Sequence, residues 1–448
     1  MSYRALAAFA LVMAGMLALP GAHADETLKL DARLAEPVMK DGVGAKTYLR
    51  VALGGCRTEQ SHSRTPVNVA FVIDRSGSMS GLRIIQAREA AIMAINRLRP
   101  NDIAAVVIFD HSVDVLAPAQ PVTDPDVFAQ LIRRVVVRGN TAIYSGVLAG
   151  AAEVRKFKES RRLNRVVLLS DGQANVGPSR AAEFAVLGRA LLTEGISVTT
   201  IGLGLGYNED LMYELARSSD GNHVFARDPS DLVAIFNREF SDVLASCAQT
   251  VAINIDLKPG VRAVRALSRD GTIDGAKAQF RLNQVYAGSE HYVLMEVELD
   301  KDVALSGEQE LGTVKVAYTA APSGTEQTLS TPVRARFTAS EEEIKAGADA
   351  KVAEAVIEQV VLERSRLAVD LRDKGKFDEA QALLKQNAHD IKDYAARAKT
   401  PNTELLELGR QYEALGAAPA PTTAAKAGED RKLLRQLQTP AAGAVSRY

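Results

Sequence analysis

VNVAFVIDRSGSMS, residues Val67–Ser80, joins an apolar run to a loop of short oxygen-bearing side chains. Val67, Val69, Phe71, Val72 and Ile73 have the β-branched and aromatic composition of a strand buried on both faces. The run stops at Asp74, and Ser76 and Ser78 follow at alternate positions, with Gly77 allowing the chain to turn between them. A helical pattern begins near Leu82, where Ile84, Ile85, Ala91, Ile92 and Ile95 predict one apolar face. A strand thus ends in a loop carrying one carboxylate and two hydroxyls at its carboxyl end. In open α/β sheets that is where ligands sit. Hard oxygens without nitrogen or sulfur suit Mg²⁺, Ca²⁺ or Mn²⁺ rather than zinc or copper.

Alone, D-x-S-x-S is weak, because Asp and Ser also populate turns and helix caps. Two later stretches strengthen it. Arg138-Gly139-Asn140-Thr141-Ala142 places a threonine just before a helical run over 143–158. Arg165-Val166-Val167-Leu168-Leu169-Ser170-Asp171-Gly172 is a second buried-strand pattern ending in an acid and a glycine. With these three motifs in this order, the chain resembles a von Willebrand factor A domain with a metal-ion-dependent adhesion site. The five family positions fall on Asp74, Ser76, Ser78, Thr141 and Asp171. Asn140 departs from the glycine that the family often carries there, and it removes no ligand oxygen. The resemblance implies an α/β doubly wound, mainly parallel sheet and a bound Mg²⁺, or Ca²⁺ or Mn²⁺. It also implies that both acids act through water, leaving the cation electrophilic towards a carboxylate. An Asp or Glu of a partner protein then completes the shell.

Two other functions compete with this adhesion reading. In a scaffold of the cell envelope the metal merely stiffens its loops. A metal-dependent hydrolase needs a general base beside the open position. Arg75, Asn140, Gln173 and Asn175 are the candidates nearby, and none is a convincing base; G-x-S-x-G and H-E-x-x-H are both absent. The expectation is a protein-binding module that is not an enzyme.

The chain has 448 residues, enough for about three domains by the usual prior. Its net charge of −1 argues against a nucleic-acid partner. Residues 1–24 read as a secretory signal: Arg4 precedes an apolar run over 5–19, and Ala22-His23-Ala24 fits a cleavage site. An uncleaved anchor is the alternative. No later stretch has the roughly 18 apolar residues needed to span a bilayer, so the mature protein is expected to be periplasmic or secreted. The two cysteines, Cys56 and Cys247, flank the A-domain region. In an oxidising compartment an even count predicts a bridge, and several family members tie the ends of this fold in that way. Two buried thiols are the alternative.

Residues 25–60 hold two alternating stretches, LKLDARL and TYLRVAL, which need strand partners elsewhere. The A domain is expected over 66–245. Its strands are Ile103–Phe109, Arg165–Ser170, Ser197–Gly202 and His223–Ala226, with Val113–Leu116 as an antiparallel edge. Its helices are expected at 82–98, 125–136, 143–158, 179–194, 208–218 and 230–245. Gly202, Gly204 and Gly206 lack the G-x-G-x-x-G spacing of a dinucleotide loop and are read as letting the chain pass near the metal. His111 and His223 read as structural. Over 250–339 the period changes to two, predicting about six strands separated by Pro259-Gly260, Arg269-Asp270-Gly271, Asp274-Gly275 and Ser306-Gly307. With the N-terminal pair they make a β-sandwich into which the A domain is inserted, a layout similar to inter-alpha-trypsin-inhibitor heavy chains and, loosely, to integrin β subunits. Residues 340–415 read as a helical pair resembling one tetratricopeptide-like hairpin, plus a short helix at 402–414. Residues 416–448 read as a flexible low-complexity tail, in which RKLLRQLQ at 431–438 offers one or two short basic amphipathic turns, a docking segment that is disordered when free.

Overall fold

The computed structural model describes residues 28–447 apart from 43, 57–64, 160, 205, 227–230, 233, 236–245, 302–305, 322, 399–401, 443 and 444. The signal segment 1–24 and most of the helix expected at 230–245 lie outside the described residues.

Three sheets organise the described residues. The central one has the order β6-β5-β4-β7-β8-β9. Its strands are β4 (Val67–Asp74), β5 (Ile103–Phe109), β6 (Val113–Pro121), β7 (Leu163–Ser170), β8 (Ile196–Leu203) and β9 (His223–Ala226). All pairs are parallel except β5 with β6, which returns antiparallel at the edge. Every residue of β4, β5, β7 and β8 is buried, as strands covered on both faces must be. Alternation divides the side chains into two cores. Val67, Val69, Phe71 and Ile73 pack with helices α1 (Leu82–Ile95) and α2 (Pro125–Arg133). Ala70 and Val72 pack with α3 (Ile143–Arg155), α4 (Ala181–Thr193) and α5 (Glu209–Ser218). Ile85 departs from the expected apolar face of α1: it is 47% exposed. Ile84 and Ala87 take the buried side, and one residue of helical rotation turns Ile85 outward.

The other two sheets form the sandwich, with orders β1-β3-β14-β11 and β12-β13-β10-β15-β16-β2. The N-terminal strands β1 (Lys29–Leu34) and β3 (Ala45–Gly54) find their partner in β14 (Ser289–Leu299), which pairs with β3 along Glu290–Leu299. Both sheets bury one apolar core, including Val51, Leu53, Ile253, Ile255, Phe280, Val293 and Val316. Two short strands join those expected. Val38–Lys40 (β2), in the segment between the N-terminal stretches, pairs in parallel with β16 (Glu326–Thr338), and Gly271–Asp274 (β12) pairs with β13 (Lys277–Tyr286), between two turn signals. The remaining strands are β10 (Ser246–Leu257), β11 (Val261–Ala266) and β15 (Gly307–Ala320).

Cys56 and Cys247 form a disulfide, with Cα atoms 5.9 Å apart, where the chain leaves and re-enters the sandwich. The central domain meets the sandwich through buried polar contacts at the amino ends of β7 and β8. Arg165, fully buried, donates to Thr199 Oγ1 at 2.8 Å, Gln284 Oε1 at 2.9 Å and the Tyr286 hydroxyl at 2.8 Å. Asn283 Nδ2 donates to Ser197 Oγ at 2.9 Å.

The helical stretch after Ser340 divides in two. Ser340 caps α6 (Glu341–Ala346); the chain then breaks at Gly347, and Asp349 caps α7 (Ala350–Asp373). The hairpin partner is α8 (Phe377–Arg397), followed by α9 (Thr403–Ala417). The tail expected to be flexible over 416–448 is corrected. It contains α10 (Ala424–Ala442), which packs on α7, and Val445–Arg447 (β17) pairs with Ser289–His291 of β14. Alanine, read as low complexity, is the best helix former. Buried Leu434 supplies the apolar contact, and Arg431 reaches Glu209, Asp210 and Asp373. Among the described residues no helix is long and apolar enough to cross a membrane.

Candidate metal centre

Asp74 ends β4, in register with Phe109 of the parallel β5, and its neighbour Ile73 pairs with Leu169 of β7. The side chain is fully buried. Its Oδ1 accepts from the Ser76 backbone N–H at 2.7 Å and its Oδ2 from Ser170 Oγ at 2.5 Å. The chain then winds through a 3₁₀ turn at Gly77–Met79. That turn leaves Ser76 Oγ 3.1 Å from Ser78 Oγ, and Ser78 Oγ donates to Asp171 Oδ1 at 2.7 Å. Asp74, Ser76, Thr141 and Asp171 are buried, whereas Ser78 is exposed.

Backbone bonds lock the three loops together. Gly77 N–H donates to the Gly139 carbonyl at 3.1 Å, and Arg138 N–H to the Arg75 carbonyl at 2.7 Å. Gly139 has φ of +72°, and a β-carbon there would lie 2.2 Å from His111 Nδ1, so both conformation and space call for glycine. The Thr141 N–H donates to Asn175 Oδ1 at 2.7 Å, and its carbonyl accepts from Asn175 and Val176 N–H. Gly172 is the point of closest approach. A β-carbon there would be 3.0 Å from Thr141 Oγ1 and 3.4 Å from Asp74 Oδ2. The structure therefore brings all five sequence-derived positions to one end of the sheet. Gly204 and Gly206 also lie there. A β-carbon on Gly204 would sit 3.2 Å from the Arg83 guanidinium, and one on Gly206 3.7 Å from the Asp171 carbonyl.

Burial and one arginine set the electrostatics of the site. Burial pushes the Asp74 carboxyl up to about 6, and the nearby Asp171 adds to the shift, against the lowering effect of the Ser170 and Ser76 hydrogen bonds. Arg83 donates to Asp171 Oδ2 at 2.5 Å and to the Ser78 carbonyl at 2.9 Å. Arg75, the intervening residue of the motif, turns away: its guanidinium pairs with Asp110 at 2.7 Å and with Asp114. Two of these participants escaped the reading of the sequence. Ser170 was read only as the end of the strand over Arg165–Ser170, and Arg83 was not singled out. His223 is structural: it is bonded to Thr200 Oγ1 at 2.9 Å and the Tyr207 hydroxyl at 3.2 Å.

The donor set fits a hard divalent cation. Each of the five motif side chains offers oxygen and two are carboxylates, the donors that hard divalent cations take, with Ser78 hydrogen-bonded to both Asp171 and Ser76. The face of Gly172 towards Thr141 and Asp74 carries no side chain.

Residues 68–238 match the family model of the von Willebrand factor type A domain. The chain is 28% identical to an uncharacterized protein of Synechocystis sp. over 64% of its own length and 70% of that protein's. It is 30% identical to inter-alpha-trypsin inhibitor heavy chain H3 of Rattus norvegicus over 46% of its length, and there it spans only 24% of the relative. Two solved structures share the fold over 93% of this chain. One is a von Willebrand factor type A protein from Catenulispora acidiphila (TM-score 0.72, 17% identity, 97% of that chain covered). The other is the ArnB paralog VWA2 from Sulfolobus acidocaldarius (TM-score 0.62, 17% identity, 99% covered). With the strand order and the three loops described above, that match makes residues 68–238 a von Willebrand factor type A domain, carried on a β-sandwich and a helical bundle.

Proposed function

We propose that this protein is an extracytoplasmic binding module that captures a partner protein through a divalent cation, Mg²⁺ or alternatively Ca²⁺ or Mn²⁺, and that it is not an enzyme. The observation that carries the reading is the convergence of Asp74, Ser76, Ser78, Thr141 and Asp171 at one end of the sheet. Bound there, the cation supplies an electrophilic position for an Asp or Glu carboxylate of the partner. Ser76, Ser78 and Thr141 offer neutral oxygens, and Asp74 and Asp171 hold the charge behind them. Ser170 and the Ser76 N–H orient Asp74. The layout supports this use: the amino ends of β7 and β8 are pinned to the sandwich through Arg165 and Asn283. The metal loops lie at the opposite, carboxyl ends of these eight-residue strands, about 25 Å along them.

Family members often mediate metal-dependent protein interactions. A hydrolase is disfavoured by the neighbouring groups, because Arg75 is committed to Asp110 and Asp114, and Asn175 to the Thr141 backbone. The disulfide supports a periplasmic or secreted location. The test is affinity capture from an envelope extract with Mg²⁺, with EDTA, and with the Asp74→Ala variant. A partner retained only by the wild type with Mg²⁺ supports the reading. A partner retained equally in all three contradicts it.

A further inference from the structure

All four carboxylate oxygens of Asp74 and Asp171 have partners within the protein, three of them neutral and one charged. Asp74 accepts from the Ser76 N–H and from Ser170 Oγ, and Asp171 Oδ1 accepts from Ser78 Oγ. Asp171 Oδ2 instead takes the guanidinium of Arg83, whose Nη1 also donates to the Ser78 carbonyl at 2.9 Å. The other arginines of these loops are committed elsewhere: Arg75 pairs with Asp110 and Asp114, and so does Arg138. The Asp171 side chain is fully buried and that of Arg83 is 39% exposed, so solvent reaches the pair from its cationic end.

Local energetics do not place an arginine at this position. Arg83 is the second residue of α1, where a cation opposes the helix dipole, and no acid in that first turn offsets it. The tertiary site makes room for it instead. Gly204, just after β8, has φ of +68°, and its N–H is fixed to the Ala226 carbonyl at 2.9 Å. A β-carbon there would lie 3.2 Å from Arg83 Nη2. The guanidinium thus occupies a slot shared by the turn at Ser78, the end of β7 and the end of β8.

We propose that Arg83 is a built-in counter-cation that holds Asp171 in the metal-free protein and lowers the affinity of the site for divalent cations. This rests on the metal-dependent reading above and deepens it by assigning what limits how tightly the cation is held. A divalent ion beside the two acids meets one carboxylate that is already neutralised, and the guanidinium repels it. Removing Arg83 therefore acts on the two states in opposite senses. The metal-free fold is weakened, because Asp171 becomes a buried carboxylate without its ion partner. Cation binding is strengthened, because the site becomes more negative. If Arg83 served only to position Asp171, its loss would loosen that carboxylate and weaken cation binding.

The experiment is titration calorimetry of Mn²⁺ into wild type, Arg83→Met and Arg83→Lys, with the melting temperature of each read in EDTA. Arg83→Met is expected to bind Mn²⁺ about tenfold more tightly, a gain limited by solvent screening of a partly exposed charge. In EDTA it is expected to melt a few degrees below wild type. Arg83→Lys keeps the charge without the planar fork and is expected to bind Mn²⁺ within about threefold of wild type. Equal or weaker Mn²⁺ binding by Arg83→Met, or an unchanged melting temperature in EDTA, overturns the counter-cation and leaves the metal reading standing. Binding tightened equally in Arg83→Met and Arg83→Lys overturns it too, since charge is then not the cause. A wild type that binds no Mn²⁺ contradicts the metal reading, and the proposal falls with it.

Discussion

Asp74 is the residue whose titration the site exposes most directly. Its carboxyl is pushed up to about 6, chiefly by burial, so between about pH 4 and pH 6 the folded chain holds a proton that the unfolded chain has released. The sign follows: this residue's stabilising contribution to the metal-free fold is fully present below about pH 4 and is lost as pH rises through about 6. A cation needs the ionised form, so proton and metal compete. Mg²⁺ or Mn²⁺ affinity is expected to be flat above about pH 7 and to fall roughly tenfold per unit below about pH 6, read by calorimetry across that range. Affinity unchanged down to pH 5 would contradict a role for Asp74 beside the cation. At this scale the sequence was informative because the ligand oxygens come from short motifs at strand ends. It was silent on Ser170 and Arg83, whose roles depend on which loops the fold brings face to face.

Among the elements, α10 is the one that composition misread. Ala-rich sequence with Pro and Thr nearby looks like linker; only the amphipathic turns at 431–438 signalled docking, and the tertiary partners extend them to a helix over Ala424–Ala442. Arg431 sits among Glu209, Asp210 and Asp373, and Arg435 pairs with Asp210 at 2.7 Å, clipping α10 to the first turn of α5. Those carboxylates, Asp373 foremost, raise the already high pKa of Arg431 despite its partial burial. Arg431→Ala is expected to lower amide protection across 424–442 by about tenfold while leaving the central sheet protected, as hydrogen exchange can read. Unchanged protection would mean that apolar packing alone holds α10. The opposite case is the central sheet. Its apolar runs and intervening helical periods were legible because burial on both faces leaves no polar alternation to confuse them. Ile85 was misjudged within a correctly placed helix, because periodicity locates a face only to within about one residue.

At the scale of the whole molecule, the insertion of one domain into another leaves two chain crossings side by side, and the Cys56–Cys247 bridge closes them. In a chain-entropy model a loop with a sequence separation of 191 stabilises by up to about 5 kcal/mol, reduced by any denatured-state structure. Cys56→Ser/Cys247→Ser is therefore expected to lower Tm by several degrees and to leave metal affinity unchanged, since the bridge and the metal loops lie at opposite ends of the sheet. A Tm within a degree of wild type would show that the interdomain contacts of Arg165 and Asn283 suffice. The two-sheet sandwich was legible from its period of two, whereas β2 and β12 were not, being too short for alternation to register. The account as a whole turns on the metal. Titration calorimetry of Mn²⁺ or Mg²⁺ into the wild type and into Asp74→Ala tests it most directly. The prediction is about one bound ion per wild-type chain and none in the variant, with circular dichroism showing both folded alike. Equal affinity in the two proteins would contradict it.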